Sequence, residues 1–275
     1  MNALLSHVGA VPLEVMRSTT PRRRGVAFAL TACALLVGCA SRAPVVPMAQ
    51  QLDRSACPAQ TDTLLVLLPG AYSDPAEFVR EGYIDAVRER GLSVDVLRVD
   101  AHLGYYSNGV IIDRLRADVI APAQAQGYGS IWIVGISIGG FGGMVYAEER
   151  PGELAGIVAI APYLGERLIA TGIDNAGGLA RWRAPPVLPE MSPRERRELR
   201  VWRWLQAYSN EPPPSDHPPL WLGYGLDDRF AFSHRLLADA LHADHVATTE
   251  GGHDWPEWMR LWRNLLPRLP LPRCR

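Results

Sequence analysis

Residues 129–139 read Gly-Ser-Ile-Trp-Ile-Val-Gly-Ile-Ser-Ile-Gly. The apolar run at 131–135 suits a buried strand, and residues 135–139 close it with the pattern G-x-S-x-G around Ser137. A further glycine-rich stretch, Gly139-Gly140-Phe141-Gly142-Gly143, leads into a helical pattern. A tight turn from strand to helix lifts a hydroxyl clear of the backbone, where it faces a ligand. Glycines at 135 and 139 leave room for the crowded backbone of such a turn. With 25 glycines in the chain, chance yields the pattern in roughly one sequence in ten of this length. The position of the motif between strand and helix therefore carries the reading.

Outward from this turn the chain alternates strands and helices. Residues 63–68 (TLLVLL) form a continuous apolar run suited to a strand buried on both faces. Asp74 and Pro75 then open a predicted helix to Arg90, with Asp74 as N-cap and Gly91 as the stop. Residues 93–99 alternate and predict a strand, and 109–126 predict a helix. Pro151-Gly152 ends the helix after Ser137. Strands follow at 154–161, 220–224 and 246–249, with helices at 231–242 and 256–266. This order implies an α/β fold with a mainly parallel sheet and helices on both faces.

The order breaks between 165 and 218, a stretch holding Trp182, Trp202, Trp204 and the Pro212-Pro213-Pro214 run. Ser192-Pro193 reads as a capped helix start. The insertion lies between two late strands and is expected to cap the site. Its tryptophans, with Trp255, Trp258 and Trp262, suggest an apolar pocket wall, with core packing as the plainer account.

A serine hydroxyl needs a base to become a nucleophile. Among seven histidines, His253 stands apart, because it follows the last predicted strand in Glu250-Gly251-Gly252-His253-Asp254-Trp255. Two glycines permit a tight loop there. The orienting carboxylate is expected on the loop after the preceding strand, where Asp227 and Asp228 both stand. The Gly-x-x-Asp spacing from Gly225 favours Asp228, while Asp227 is placed to brace the turn or pair with Arg229. Asp254 is too close in sequence to His253 to orient it, and Asp216 is the remaining outsider.

The order Ser137, Asp228, His253 resembles that of α/β-hydrolase fold serine hydrolases across roughly residues 62–268. The Gly-Gly-His-Asp-Trp stretch is similar to the histidine loop of the esterase branch that includes esterase D-like proteins. The resemblance implies a carboxylesterase acting on small acyl esters through an acyl-enzyme, without metal or organic cofactor. It also implies an oxyanion hole built from two backbone N–H groups. One belongs to Ile138; the other matches Ala71, with Tyr72 as second choice. Pro69-Gly70 stands where many relatives have His-Gly, which leaves the second donor open. An acyltransferase, thioesterase or peptidase would use the same three side chains, and a non-catalytic envelope binding protein could share the fold.

The front of the chain reads as a targeting segment. Arg22, Arg23 and Arg24 precede an apolar stretch from Val26 to Val37 that is short for a membrane span. Leu36-Val37-Gly38-Cys39 is similar to a bacterial lipobox, which predicts a signal peptide over 1–38 and lipid on Cys39. Met16 offers a more usual start than Met1. Residues 39–61 then read as a tether, and 62–275 as the folded domain. Ala40 follows the cysteine, which agrees with an outer-membrane lipoprotein facing the periplasm.

Cys57 and Cys274 stand at opposite ends of the domain. Domain ends often lie near each other, and an exported chain meets an oxidising compartment, so a disulfide between them is predicted. The net charge of −1 and the lack of a basic stripe argue against nucleic-acid binding. Lysine is absent, and all 28 basic residues are arginine.

Overall fold

The computed structural model describes residues 42–274. Its framework is a seven-stranded sheet whose strand order is β1-β3-β2-β4-β5-β6-β7. The strands are β1 (Gln50–Asp53), β2 (Thr63–Leu68), β3 (Asp95–Val99), β4 (Ser130–Ile136), β5 (Gly156–Ile160), β6 (Leu220–Gly225) and β7 (Val246–Thr249). All neighbours run parallel except β1 and β3. The fully buried β2 and β5 have the continuous apolar character expected of strands covered on both faces.

Each face of the sheet has its own core. One gathers Leu64, Val66, Ile133 and Ile157 with Met144, Tyr146 and Trp202. The other gathers Leu65, Leu67, Val134 and Val158 with Phe78, Tyr83, Trp258 and Trp262. The division follows the period-two alternation of side chains along a strand.

The predicted helix from 74 to 90 divides into α1 (Glu77–Arg80) and α2 (Tyr83–Glu89). Asp74 accepts from the N–H groups of Ala76 and Glu77, as an N-terminal cap should. Gly82 then takes φ 82°, which breaks the helical path. A short helix α3 (Leu103–Ser107) follows β3, capped by the His102 side chain. The predicted helix at 109–126 is α4 (Ile111–Arg114), a π-helical segment over Leu115–Ile120, and α5 (Ala121–Ala125). Pro122 has no N–H for the carbonyl of Asp118 four residues back. The Gln50 side-chain amide donates to that carbonyl instead.

Residues 39–61 were expected to be a tether, but the chain is bound to the domain from Arg42 onward. Met48 is buried, and its N–H donates to the Asp118 carboxylate. The Tyr105 hydroxyl holds both the N–H and the carbonyl of Val45. Residues 50–53 add an antiparallel strand, pairing Gln50 with Val99 and Asp53 with Val96. The gain is backbone pairing along an otherwise open sheet edge.

Cys57 and Cys274 are bonded, with Cα atoms 5.3 Å apart across a sequence separation of 217. Close by, Cys274 N–H donates to Gly91 carbonyl and Ser93 N–H to Pro272 carbonyl. The bridge therefore sits where β3 begins. Residues 1–41, including the expected signal peptide, Met16 and Cys39, lie outside the described residues.

Candidate active site

The helix after β4 is α6 (Ile138–Glu149), and Ser137 is the single residue between them. Ser137 adopts φ 53° and ψ −116°, a conformation non-glycine residues rarely hold. Two neighbouring elements hold it there. Its N–H donates to the Ile160 carbonyl at the end of β5, and its carbonyl accepts from Tyr163 N–H at 3.0 Å. A Cβ at Gly135 would collide with the Gly139 backbone, and a Cβ at Gly139 with the Leu68 carbonyl. Both motif glycines are thus sterically required.

Three loops at the C-terminal ends of β4, β6 and β7 bring Ser137, Asp228 and His253 together. His253 Nε2 lies 3.0 Å from Ser137 Oγ, and His253 Nδ1 lies 2.7 Å from Asp228 Oδ2. An ionised carboxylate only accepts, so Nδ1 carries the proton and Nε2 is left to accept from the serine. Asp228 Oδ1 also accepts from Phe230 N–H at 2.7 Å. Burial pushes the Asp228 carboxyl up; the hydrogen bonds from His253 and Phe230 N–H, with nearby imidazole charge, bring it below its ordinary value. The side chain is wholly shielded from solvent.

The loops are also tied to each other. Leu226 N–H donates to Thr249 carbonyl, and Asp227 N–H to Gly251 carbonyl. Gly251 takes φ 111°, and a Cβ there would strike Glu257. Phe230 and Trp258 pack edge-on against the His253 ring, each with centroids 5.2 Å away.

This arrangement of strand order, serine turn and late histidine loop decides the architecture. The chain has the α/β-hydrolase fold. Solved structures of similar shape include Est1E from Butyrivibrio proteoclasticus, at 15% identity and TM-score 0.55, covering 80% of this chain and 94% of that one. An S-formylglutathione hydrolase from Agrobacterium tumefaciens matches at 15% identity and TM-score 0.52, covering 83% and 92%. Another, from Staphylococcus aureus, matches at 17% identity and TM-score 0.50, covering 75% and 80%. No protein-family model matches the chain, and no curated protein matches it.

Within the α/β-hydrolase fold Ser137 opens onto a cleft of about 600 Å³. Ala71, Tyr72 and Ile138, the expected oxyanion-hole residues, line it. Gly70 packs beside Ser137, which brings the start of the 70–72 turn to its side chain. Among the described residues, no backbone or side-chain acceptor takes the N–H of Ala71, Tyr72 or Ile138. The outsiders are elsewhere. Asp227 and Asp254 are exposed, and Asp216 pairs with His217.

The insertion reaches this cleft through α8 (Pro193–Gln206), the helix after α7 (Arg167–Asn175). Ser192 and Glu195 form the capping box at its start, with Pro193 in the first turn. Glu198, only 1% exposed, accepts from Tyr163 hydroxyl at 2.6 Å, Arg194 Nε at 2.8 Å and Glu166 N–H at 3.0 Å. Burial and the Glu198 carboxylate push the Tyr163 hydroxyl up, so it stays a neutral donor. Arg197 and Arg229 also line the cleft and form no ion pair among the described residues. Sequence reasoning missed Tyr163 and Glu198.

The tryptophans do not form the cleft wall. Trp182, Trp202, Trp258 and Trp262 are buried, and Trp202 donates to Leu164 carbonyl at 2.7 Å. The plainer core-packing account is the right one. Trp258 still serves the site, through its contact with His253.

A second cleft, of about 1030 Å³, is lined by Arg181, Tyr208, Pro213, His217 and His242. It includes Leu220, the first residue of β6, and so lies at the far end of the sheet from Ser137.

Proposed function

We propose that this protein is a serine esterase. The observation that carries the reading is the continuous chain of contacts from Ser137 Oγ to His253 Nε2 at 3.0 Å and from His253 Nδ1 to Asp228 at 2.7 Å. In the reaction Ser137 Oγ attacks the ester carbonyl while its proton passes to His253 Nε2. The carbonyl oxygen becomes an oxyanion facing the N–H groups of Ile138 and Ala71. Collapse of this intermediate breaks the bond to the alcohol, which leaves with the Nε2 proton. Water then gives a proton to His253 and adds its oxygen to the acyl carbon. The carboxylic acid departs, and the proton returns to Ser137. Asp228 holds the Nδ1–H tautomer and stabilises the imidazolium in both halves.

A fluorophosphonate probe tests this reading. Wild-type protein is expected to take the label at Ser137, and Ser137→Ala to lose it. An unlabelled, folded wild type refutes the esterase and leaves a binding protein on the same fold. A graded panel of esters, thioesters and amides, with and without an acceptor alcohol, then separates esterase from thioesterase, peptidase and acyltransferase.

The lipobox-like LVGC at residues 36–39 supports a second part of the proposal, a lipid anchor at Cys39 on the periplasmic face of the outer membrane. Fractionation of cells carrying wild type and Cys39→Ser tests it. The wild type is expected with membranes and the variant in the soluble fraction; equal partition refutes the anchor.

A further inference from the structure

The start of the fold at Arg42 limits what an anchor at Cys39 would do. A tether of some twenty residues would let the domain turn freely above a membrane. The chain is instead fastened to the domain from Arg42, only three positions after Cys39. Covalent geometry alone limits three extended residues to about 11 Å.

Where Arg42 is fastened then sets which way the domain faces. Gln50 pairs with Val99, the last residue of β3, and Asp100 N–H donates to Ala49 carbonyl. Residues 42–49 therefore lie beyond the C-terminal ends of the parallel strands, the same end that carries Ser137. Arg42 forms an ion pair with Asp100, and its carbonyl abuts Gly104 in α3. Leu103, Tyr106 and Ser107 of that helix line the cleft. The anchor-proximal segment and one cleft wall are thus two sides of one helix.

Apolar side chains are exposed both in this segment and on the cleft rim. Val45 is 57% exposed and Val46 is 64% exposed. Tyr72, on the cleft rim, is 93% exposed. Aromatic and aliphatic side chains at such a rim suit the boundary between headgroups and acyl chains.

We infer that the domain sits with its cleft against the bilayer that holds its anchor, Val45 and Val46 touching the lipid surface, and that its substrates are esters resident in that membrane. The inference rests on the lipid anchor and, for its substrate clause, on the esterase reading. A short leash raises the local concentration of membrane-borne ester at the cleft without any new contact.

The test uses the full lipidated protein in phosphatidylcholine–phosphatidylglycerol vesicles. With Cys57 and Cys274 bonded, an introduced cysteine is the free thiol of the mature domain. Fluorophores are placed at Val46→Cys, Ser107→Cys and Asp62→Cys, and quenched with spin-labelled lipid. Asp62 is exposed and precedes β2, so it marks the opposite end of the strands, about 20 Å away. Quenching at 46 and 107 at least twofold stronger than at 62 is the expected result. Equal quenching at all three, stronger quenching at 62, or none anywhere overturns the orientation.

A second arm reads substrate access. A 20-residue Gly/Ser insert between Ser41 and Arg42 should lower turnover of a vesicle-embedded ester several-fold relative to a water-soluble one. An unchanged ratio overturns the substrate clause. A wild type inert toward the soluble ester sinks the esterase reading, whereas the quenching pattern judges orientation without reference to activity.

Discussion

The backbone N–H of Asp227 donates to the carbonyl of Gly251 at 2.9 Å, joining the loop of Asp228 to the loop of His253. The Asp227 side chain points to solvent and takes no part in that bond. Asp227→Asn should therefore leave turnover roughly unchanged, because the main chain does the bracing. Asp228→Asn keeps an acceptor for Phe230 N–H but presents an amide to His253 Nδ1, favouring the wrong tautomer. Turnover should fall by about 10⁴-fold. Steady-state kinetics on both variants checks this, and the opposite ranking would move the acid to position 227.

The turn at Ser137 has no spare volume. In Gly139→Ala the new methyl would meet the Leu68 carbonyl, which is main chain and gives little. We expect a loss of about 1–3 kcal/mol in stability, the usual cost of overpacking, together with loss of probe labelling at Ser137. Gly129→Ala is the matched control, since a Cβ there meets nothing within 4 Å. Chemical denaturation and labelling of the two proteins give the comparison.

Burial of His234 makes stability depend on pH. His234 Nε2–H donates to Pro162 carbonyl at 2.7 Å, while Nδ1 is buried with no partner among the described residues. Burial lowers its pKa from 6.5 to about 4. The unfolded chain then binds a proton that the native state refuses. The stability contribution is fully present above pH 6.5 and is lost as pH falls through about 4. The total is roughly 3 kcal/mol, an order-of-magnitude figure. His102 and His245 are also pushed down by burial, so they add to the slope. Urea denaturation at pH 7 and pH 4.5 should show the decline in wild type and a shallower one in His234→Gln. Equal slopes would place the effect elsewhere.

Reduction of the Cys57–Cys274 bridge should destabilise the domain without touching its chemistry. The chain-entropy model assigns so long a loop about 5 kcal/mol, an upper figure for real proteins. The bridge lies where β3 begins, a sheet length from Ser137. Cys57→Ser with Cys274→Ser should melt at lower temperature yet keep wild-type kcat/KM on a soluble ester at low temperature. Calorimetry and kinetics on the double variant check both halves.

The convergence of Ser137, Asp228 and His253 is foreshadowed in the sequence because each follows a strand end closely, with Gly135, Gly225 and Gly252 beside them. The disulfide is readable from the position of two cysteines at the domain ends. Residues 50–53 are not readable as a strand. Gln-Gln-Leu-Asp has neither alternation nor a buried face, and it is held by pairing to Val96–Val99 and by Asp118, contacts far away in sequence. Glu198 is hidden for a similar reason. In PRERRELR it reads as one more solvated charge, and only Tyr163 and the Glu166 backbone, brought in from another loop, account for its burial. The tryptophans left two accounts open because size and polarity at the indole tip suit both a core and a cavity; contacts decide for the core.

Because Cys274 follows Cys57 by 217 positions, the covalent ring cannot close until the chain between them has been made. The sulfur bond is a latch between the two ends of the domain. Any chain cut short before residue 274 stays unlatched, carrying one lone reactive thiol at position 57. That thiol distinguishes incomplete product from whole, and a thiol-directed tag would count the defective copies in a preparation directly.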